Sequence, residues 1–350
     1  MSSQLALFLT EKSGSFSLGD AEVPNPGLGE LLVRVQSIGL NPVDWKIQAE
    51  GLWVKDYPAI LGHEVAGTVE TIGEGVTQFV KGDRVFHQCT TGIEGGRKAA
   101  YQQFVIVPAS IACKANSLTF DQGASLSVGI ATASIPLYSQ PQIGIGYEAP
   151  WNNGRGKYQG QPALILGGSS CVGQYAIQFA KLSGFSPIFT TANASLHKTR
   201  LLRLGATHVI DRGLSFSDVS QEISTITKAP ISLVYDAISH DDTQNGGYEI
   251  LAPGGHIVIT LPPAIKRKEG DQKHIVPVTG NFHEPENMEF GAVICQHLTK
   301  LLSDEDIQAN TVEIVPGGLN GIVDGLEKLK TNNRVSGKKL VVRPWDTTVL

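Results

Sequence analysis

Hydrophobic positions fall into two different rhythms along this chain. In its first third the apolar residues form short β-branched runs at 31–35, 65–72, 84–87 and 104–107, parted by Gly73-Glu74-Gly75 and Lys81-Gly82-Asp83. Short strands broken by glycine turns predict an antiparallel, barrel-like β domain. Several of these runs are apolar on successive residues, so other parts of the chain are expected to cover them. After Asp121-Gln122-Gly123 a small-residue helix is predicted over 124–138. Residues 140–161, rich in Gly, Pro and Asn, read as a long loop with no core of its own.

From Pro162 onward strands alternate with helices. Apolar strands are predicted at 163–166, 187–191, 207–210, 233–235 and 256–260, with helices over 172–182 and 198–204. Such alternation predicts a doubly wound parallel sheet, the Rossmann arrangement. A helix at 291–302 and strands at 311–315 and 339–342 then return the chain to the first domain. The expected fold class is α/β, with a β-barrel domain formed by 1–131 and 284–350 and a parallel-sheet domain at 132–283.

Composition narrows the function classes. Apolar residues make up 41% and charged residues 17%, which excludes wholesale disorder. The formal charge is 28 − 33 = −5. A mildly acidic chain without a basic run lacks the electrostatic footprint of a nucleic-acid or anionic-membrane binder. The basic cluster Lys266-Arg267-Lys268 follows a proline pair and reads as a solvated loop. The apolar stretch Leu5-Ala6-Leu7-Phe8-Leu9 is too short, and too soon followed by Glu11-Lys12, to read as a leader. Cys89, Cys113, Cys171 and Cys295 form no CxxC pair. That suits a reducing compartment, so a cytoplasmic location is expected, and it leaves no thiolate cluster for a structural zinc.

The sharpest motif is Leu166-Gly167-Gly168-Ser169-Ser170-Cys171-Val172-Gly173 between a predicted strand and a predicted helix. Small residues there let the backbone approach a pyrophosphate, whose charge the helix N-terminus stabilises. The candidate cofactor contacts are Gly167, Gly168, Ser169, Ser170, Cys171 and Val172, although Ser170 stands where a glycine is usual. NAD-selective folds carry an acid near the end of the next strand, on the ribose 2′-hydroxyl. Here that strand ends Thr190-Thr191-Ala192-Asn193, followed by Ser195, His197, Lys198 and Arg200. Hydroxyls and cations accept a 2′-phosphate, so the pattern favours NADPH, with Thr191, Ser195 and Lys198 as candidate contacts. Lys198 and Arg200 also fit ordinary exposed helix cations.

Together these features resemble the medium-chain dehydrogenase/reductase superfamily over nearly the whole chain. The resemblance rests on Pro24-Asn25-Pro26-Gly27, Leu61-Gly62-His63-Glu64-Val65-Ala66-Gly67, Gly82-Asp83-Arg84-Val85, the dinucleotide turn and Leu204-Gly205-Ala206-Thr207, in that order. It implies a GroES-like catalytic domain built from both chain ends, with a Rossmann domain inserted. Where zinc-dependent relatives place a cysteine ligand, this chain has Asn41, and the four-cysteine structural lobe is absent. Asn41-Pro42-Val43-Asp44-Trp45-Lys46 instead resembles the zinc-free branch of quinone oxidoreductases, ene reductases and fungal trans-acting enoyl reductases. That likeness puts Thr132 near the nicotinamide, Arg212 beside the adenosine phosphate and Lys338, within Ser336-Gly337-Lys338-Lys339, at the cofactor cleft.

Without a Lewis acid, alcohol–ketone chemistry loses its usual electrophile. Reduction of a C=C bond conjugated to a carbonyl requires less: a hydride to the β-carbon, donors around the enolate and a proton source. Asn41, Lys46 and Tyr57 are the catalytic candidates, with a turn residue, a surface cation and a satisfied core tyrosine as the bland alternatives. Trp45, Trp53 and Phe86 are candidate pocket walls. The expected partner is a small hydrophobic unsaturated carbonyl compound, with a carrier-bound polyketide as the alternative. Quinone or carbonyl reduction, or a catalytically silent NADPH-binding role, stays open, as does the oligomeric state.

Overall fold

A computed structural model describes residues 2–92, 96–331 and 335–348. The chain forms two compact units. The first holds the described residues up to Val128, Phe282–Ser303 and those from Ala309 on; the second holds Gly129–Asn281 and Asp304–Gln308.

In the first unit the chain runs β1 (Ser3–Leu9), β2 (Phe16–Glu22), β3 (Glu30–Gly39), α1 (Pro42–Glu50), β4 (Ala59–Ile60), β5 (Glu64–Ile72), β6 (Arg84–Gln88), β7 (Phe104–Pro108), β8 (Ala112–Lys114) and α2 (Phe120–Gly123). Helix α3 (Ser127–Tyr138) then leads into the second unit, made of β9 (Ala163–Leu166), α4 (Cys171–Ser183), β10 (Ile188–Ala192), α5 (Ala194–Leu204), β11 (His208–Asp211), α6 (Phe216–Ile226), β12 (Leu233–Asp236), α7 (Asp241–Ile250), β13 (His256–Ile259) and β14 (His274–Pro277). Helix α8 (Met288–Ser303), β15 (Thr311–Ile314), α9 (Gly321–Lys330) and β16 (Lys338–Val342) complete the first unit.

The sheet of the second unit has the order β11-β10-β9-β12-β13-β14, every pair parallel. Strand order therefore reverses at β9 and β12, the switch point at which ligands bind in doubly wound sheets. β9 is buried throughout, as a central parallel strand requires. In the first unit, β3 is the long spine. It pairs with β5 on one side and with β7 and β16 on the other, all antiparallel, with register shifts at Leu32/Val33 and Val35/Ser37. Its apolar residues and those of β5 lie in one core with Leu319, Ile322 and Leu326 of the α9 segment, which covers the successive apolar positions.

Local departures from the sequence reading have physical causes. The helix expected over 124–138 starts at Ser127 as α3, and before it stands a separate short α2, capped by the Thr119–Gln122 capping box. Segment 140–161 is not a coreless loop. Tyr147 packs on Tyr158 and Phe185, and Trp151 packs on Tyr138 and Phe179, so its few aromatics build a small core against α4. Asn41-Pro42 opens a helix, since proline fits the first helical position. Helices α6 and α7 were not anticipated; Gly246 and Gly247 inside α7 weaken its helical signal. Among the described residues no helix is long and apolar enough to cross a membrane.

Candidate functional site

The turn after β9 is built from backbone. Gly167 has φ +74°, and a Cβ on Gly168 would stand 1.9 Å from Thr190 Oγ1. That hydroxyl cannot easily move, since it donates to the Ile165 carbonyl at 2.8 Å. A Cβ on Gly173 would meet the Gly167 carbonyl at 2.3 Å, so glycine lets α4 start directly against the turn. Thr191 holds the turn from β10: its Oγ1 accepts from Gly167 N at 3.1 Å and its carbonyl accepts from Gly168 N. Ser170 takes the usual glycine place because it is the cap of α4, its Oγ accepting from Gly173 N at 2.9 Å. Gly167, Gly168, Ser169, Ser170, Cys171, Val172 and Thr191 are thus gathered at one end of the sheet, where first-turn amides and the helix dipole suit an anion.

Beside this turn, at the end of β10, stands a group of cations. Arg212 N donates to the Ala192 carbonyl at 2.9 Å, which places Arg212 directly after the paired ends of β10 and β11. Ser195 Oγ donates to Asn193 Oδ1, the cap of α5. Lys198 is exposed on α5. Arg200 is half-buried rather than an ordinary surface cation: its Nε donates to Gln174 Oε1 at 2.7 Å, and Gln174 Nε2 donates to the Ser169 carbonyl. Burial, with Arg212 and Arg200 close by, holds the His197 imidazole below its ordinary value. The carboxylate of Asp211 is turned onto the Gly213 and Ala194 amides. Thr132 lies elsewhere in this unit, its carbonyl accepting from Tyr235 Oη at 2.6 Å and its side chain against Gly280. Buried Asp236, at the end of β12, accepts from Ile238 N, Ser239 N and Thr243 Oγ1; burial nevertheless raises its carboxyl.

The first unit holds a knot of buried polar side chains. Glu64, wholly buried, accepts from Asn41 Nδ2 at 3.0 Å, from Val128 N at 3.0 Å and from Ser127 Oγ, and is ion-paired with Lys339. Lys339 Nζ also donates to Asn41 Oδ1 at 2.6 Å, so both ends of the Asn41 amide are engaged. Asp44, also wholly buried, accepts from Asn41 N at 2.8 Å and from His63 Nδ1 at 2.5 Å. Burial and the carboxylates of Glu64 and Asp44 push the Cys89 thiol up, and burial with the same two groups does so for the Tyr101 phenol. His87 and His283 meet edge to face at 5.3 Å, and burial holds both imidazoles low, His283 at about 4.

Of the other predicted residues, Lys46 lies on α1 with its Nζ 5.7 Å from the Trp45 ring, and burial lowers its ammonium. The Tyr57 hydroxyl is buried without a hydrogen-bond partner. Neither is hydrogen-bonded to the Asn41 knot among the described residues. Lys338 is exposed and pairs with Glu313 at 2.9 Å. Its neighbour Lys339, which sequence reading passed over, points the other way into the knot. A strand alternates its faces, so two adjacent lysines on β16 are themselves a signal that one is buried. Phe86 is fully buried core, Trp53 is 64% exposed and Trp45 is packed on the core edge.

The residues around Asn41 do not fit a zinc ion. Glu64 is saturated by four donors, Asn41 presents an engaged amide in place of a thiolate, and His63 has one ring nitrogen committed to Asp44. No group of three or more His, Cys, Asp or Glu able to hold a metal occurs among the described residues.

Comparison with known proteins agrees with this architecture. Residues 27–117 match the alcohol dehydrogenase GroES-like domain, and residues 171–261 match the family described as zinc-binding dehydrogenase. A trans-enoyl reductase of Aspergillus japonicus is 31% identical over 340 residues, spanning 95% of this chain and 94% of that protein. A dehydrogenase of Emericella nidulans is 28% identical, spanning 98% of this chain and 99% of its own. The crystal structure of an alcohol dehydrogenase superfamily protein from Novosphingobium aromaticivorans superposes with a TM-score of 0.79 at 26% identity, covering 97% of this chain and 99% of the other. With a GroES-like unit, a Rossmann unit and relatives along its full length, the chain belongs to the medium-chain dehydrogenase/reductase superfamily of nicotinamide-dependent oxidoreductases.

Proposed function

We propose that this oxidoreductase is a zinc-free, NADPH-dependent reductase of C=C bonds conjugated to a carbonyl. The observation that carries the reading is the Asn41–Glu64–Lys339 knot, in which the amide that stands in place of a thiolate ligand and the neighbouring carboxylate are already bonded to other groups of the chain. Ketone reduction concentrates charge on an alkoxide and calls for a strong electrophile. Conjugate reduction spreads charge over an enolate, which hydrogen-bond donors can hold. The trans-enoyl reductase among its relatives supports the same class.

The absence of an acid at the end of β10, and the cations there, support NADPH over NADH. When bound, that cofactor supplies a hydride for the β-carbon. Tyr57 Oη then delivers the proton to the α-carbon, and Lys46 Nζ, its ammonium already destabilised by burial, holds the enolate oxygen. Asn41 serves as a positioning residue for α1. The substrate is a hydrophobic enone, enal or enoyl compound, free or carried on a partner.

The test is oxidation of NADPH, with NADH in parallel, against enones, enals, quinones and saturated ketones, with products identified and metal content measured. Enones converted to saturated carbonyls by metal-free protein are the expected result. Turnover of quinones alone, zinc-dependent ketone reduction, or NADPH binding with no turnover of free or carrier-linked enoyl substrates would each overturn it.

A further inference from the structure

Helix α4 carries two glutamines one turn apart on its buried face, among apolar neighbours such as Ala176, Ile177 and Phe179. Gln174 is fully buried and bonded at both ends of its amide. Its Nε2 donates to the Ser169 carbonyl of the dinucleotide turn at 3.1 Å, and its Oε1 accepts from Arg200 Nε at 2.7 Å. Gln178 braces it: Nε2 donates to the Gln174 carbonyl at 3.2 Å, while Oε1 accepts from Gln308 N at 2.7 Å. Arg200 belongs to α5, so one glutamine side chain ties that arginine to the turn ahead of α4. We propose that Gln174 is the positioning residue for cofactor selectivity: it holds the Arg200 guanidinium beside the turn, where it meets the 2′-phosphate of NADPH. The inference rests on the NADPH reading above.

In doubly wound sheets the pyrophosphate lies on the first turn, and the adenosine ribose is read from the end of the second strand. Arg200 stands on the helix that follows that second strand, β10. Its Nε reaches a residue near the start of α4, the helix that begins at the turn. The guanidinium is thus held between the two places that flank a 2′-phosphate. A loose surface cation loses rotamer freedom when an anion binds it, whereas one already fixed through Nε has lost part of that freedom in advance. Lys198 and Arg203, both exposed on α5, carry no such tether among the described residues. The tether is also stiff, because a shift of the buried amide would leave its partners unsatisfied. If Gln174 did no more than link α4 to α5, its loss would weaken both dinucleotides alike. A charge set against the 2′-phosphate acts on NADPH alone.

The experiment is fluorescence titration of the intact protein with NADPH and with NADH, folding being checked by circular dichroism. The variants are Gln174→Leu, Arg200→Gln, the two combined, and Arg203→Gln. Wild type should bind NADPH more tightly than NADH. Gln174→Leu and Arg200→Gln should each raise the NADPH Kd roughly tenfold and the NADH Kd by less than about twofold. The double variant should be no worse than Arg200→Gln, since Gln174 acts only through the arginine. Arg203→Gln removes an exposed charge from the same helix and should leave both Kd values within about twofold. Arg200→Gln, at a half-buried position, carries the test if Gln174→Leu does not fold. Suppose that wild type prefers NADPH, but the variants lose both cofactors alike, lose neither, add their losses, or are matched by Arg203→Gln. The tether is then wrong and the cofactor reading stands. If wild type does not prefer NADPH, the cofactor reading fails and this inference with it.

Discussion

The turn of the second unit and the knot of the first are opposite ways of building a site. Around Gly167 and Gly168 the working surface is backbone, made by one short consecutive stretch and steadied from β10 by Thr190 and Thr191. Around Glu64 it is mainly side chain, assembled from positions 41, 64, 127 and 339 with one backbone amide from Val128. A backbone site tolerates little added volume but carries no buried charge. A side-chain site packs easily, but each member leaves an unsatisfied partner if it is removed. The two should therefore break differently.

The largest effect is expected at the knot. Lys339→Met strands the wholly buried Glu64 carboxylate and should cost about 3–5 kcal/mol in denaturant unfolding. The double variant Glu64→Gln with Lys339→Met should recover most of that loss, because no charge is then left unpaired. Full additivity of the two single changes would show that the pair is not energetically coupled.

Next comes the turn. Gly168→Ala drives a methyl into Thr190 Oγ1 and should cost roughly 2–3 kcal/mol of stability. It should also weaken dinucleotide binding by about 100-fold, a loss of about 2.7 kcal/mol, read by cofactor fluorescence. Adding Thr190→Ser would not relieve the clash, since the hydroxyl remains. Thr190→Val keeps the bulk, while Thr190→Ala should restore part of the binding. Equal damage in all three backgrounds would remove the steric account.

Acid should find the first unit. His283 is held neutral down to about 4 against an ordinary 6.5, and His87 is held low beside it. Below pH 6.5 the unfolded chain binds protons that the folded one refuses, so stability present above that pH is lost on the way down to 4. The loss should be on the order of 2 kcal/mol, seen as a falling melting temperature between pH 7 and 4.5. His283→Asn should flatten that slope. An unchanged slope would mean that carboxylates, not this histidine pair, set the acid limit.

The smallest change is at the cap of α4. Ser170→Ala removes the acceptor for Gly173 N and should cost about 1 kcal/mol, whereas Ser170→Gly should cost only a few tenths. That contrast would sharpen the claim that serine sits in the glycine pattern as a cap. Equal costs would make it a spectator.

Legibility followed the same divide. The glycine turn, its flanking strand and helix, and the parallel alternation after Pro162 could be read because each depends on neighbours in sequence. The missing acid after Thr191 was legible for the same reason. Lys339 was passed over because only the pairing of β16 with β3 shows which face of the strand is inward. The aromatic packing of 140–161 against α4 was hidden by its polar composition, since a few rings suffice once a helix is there to meet them.

By itself, then, the chain's order of residues determined the two rhythms, the dinucleotide turn, and the replacement of a thiolate by Asn41. Those depend on local backbone sterics and on what a given side chain can donate. Only the tertiary structure decided that Asn41 is tied at both ends and that Glu64 and Lys339 neutralise each other out of water. Those depend on contacts between residues as far apart as 41 and 339, where strand pairing and burial, not sequence spacing, set the distance.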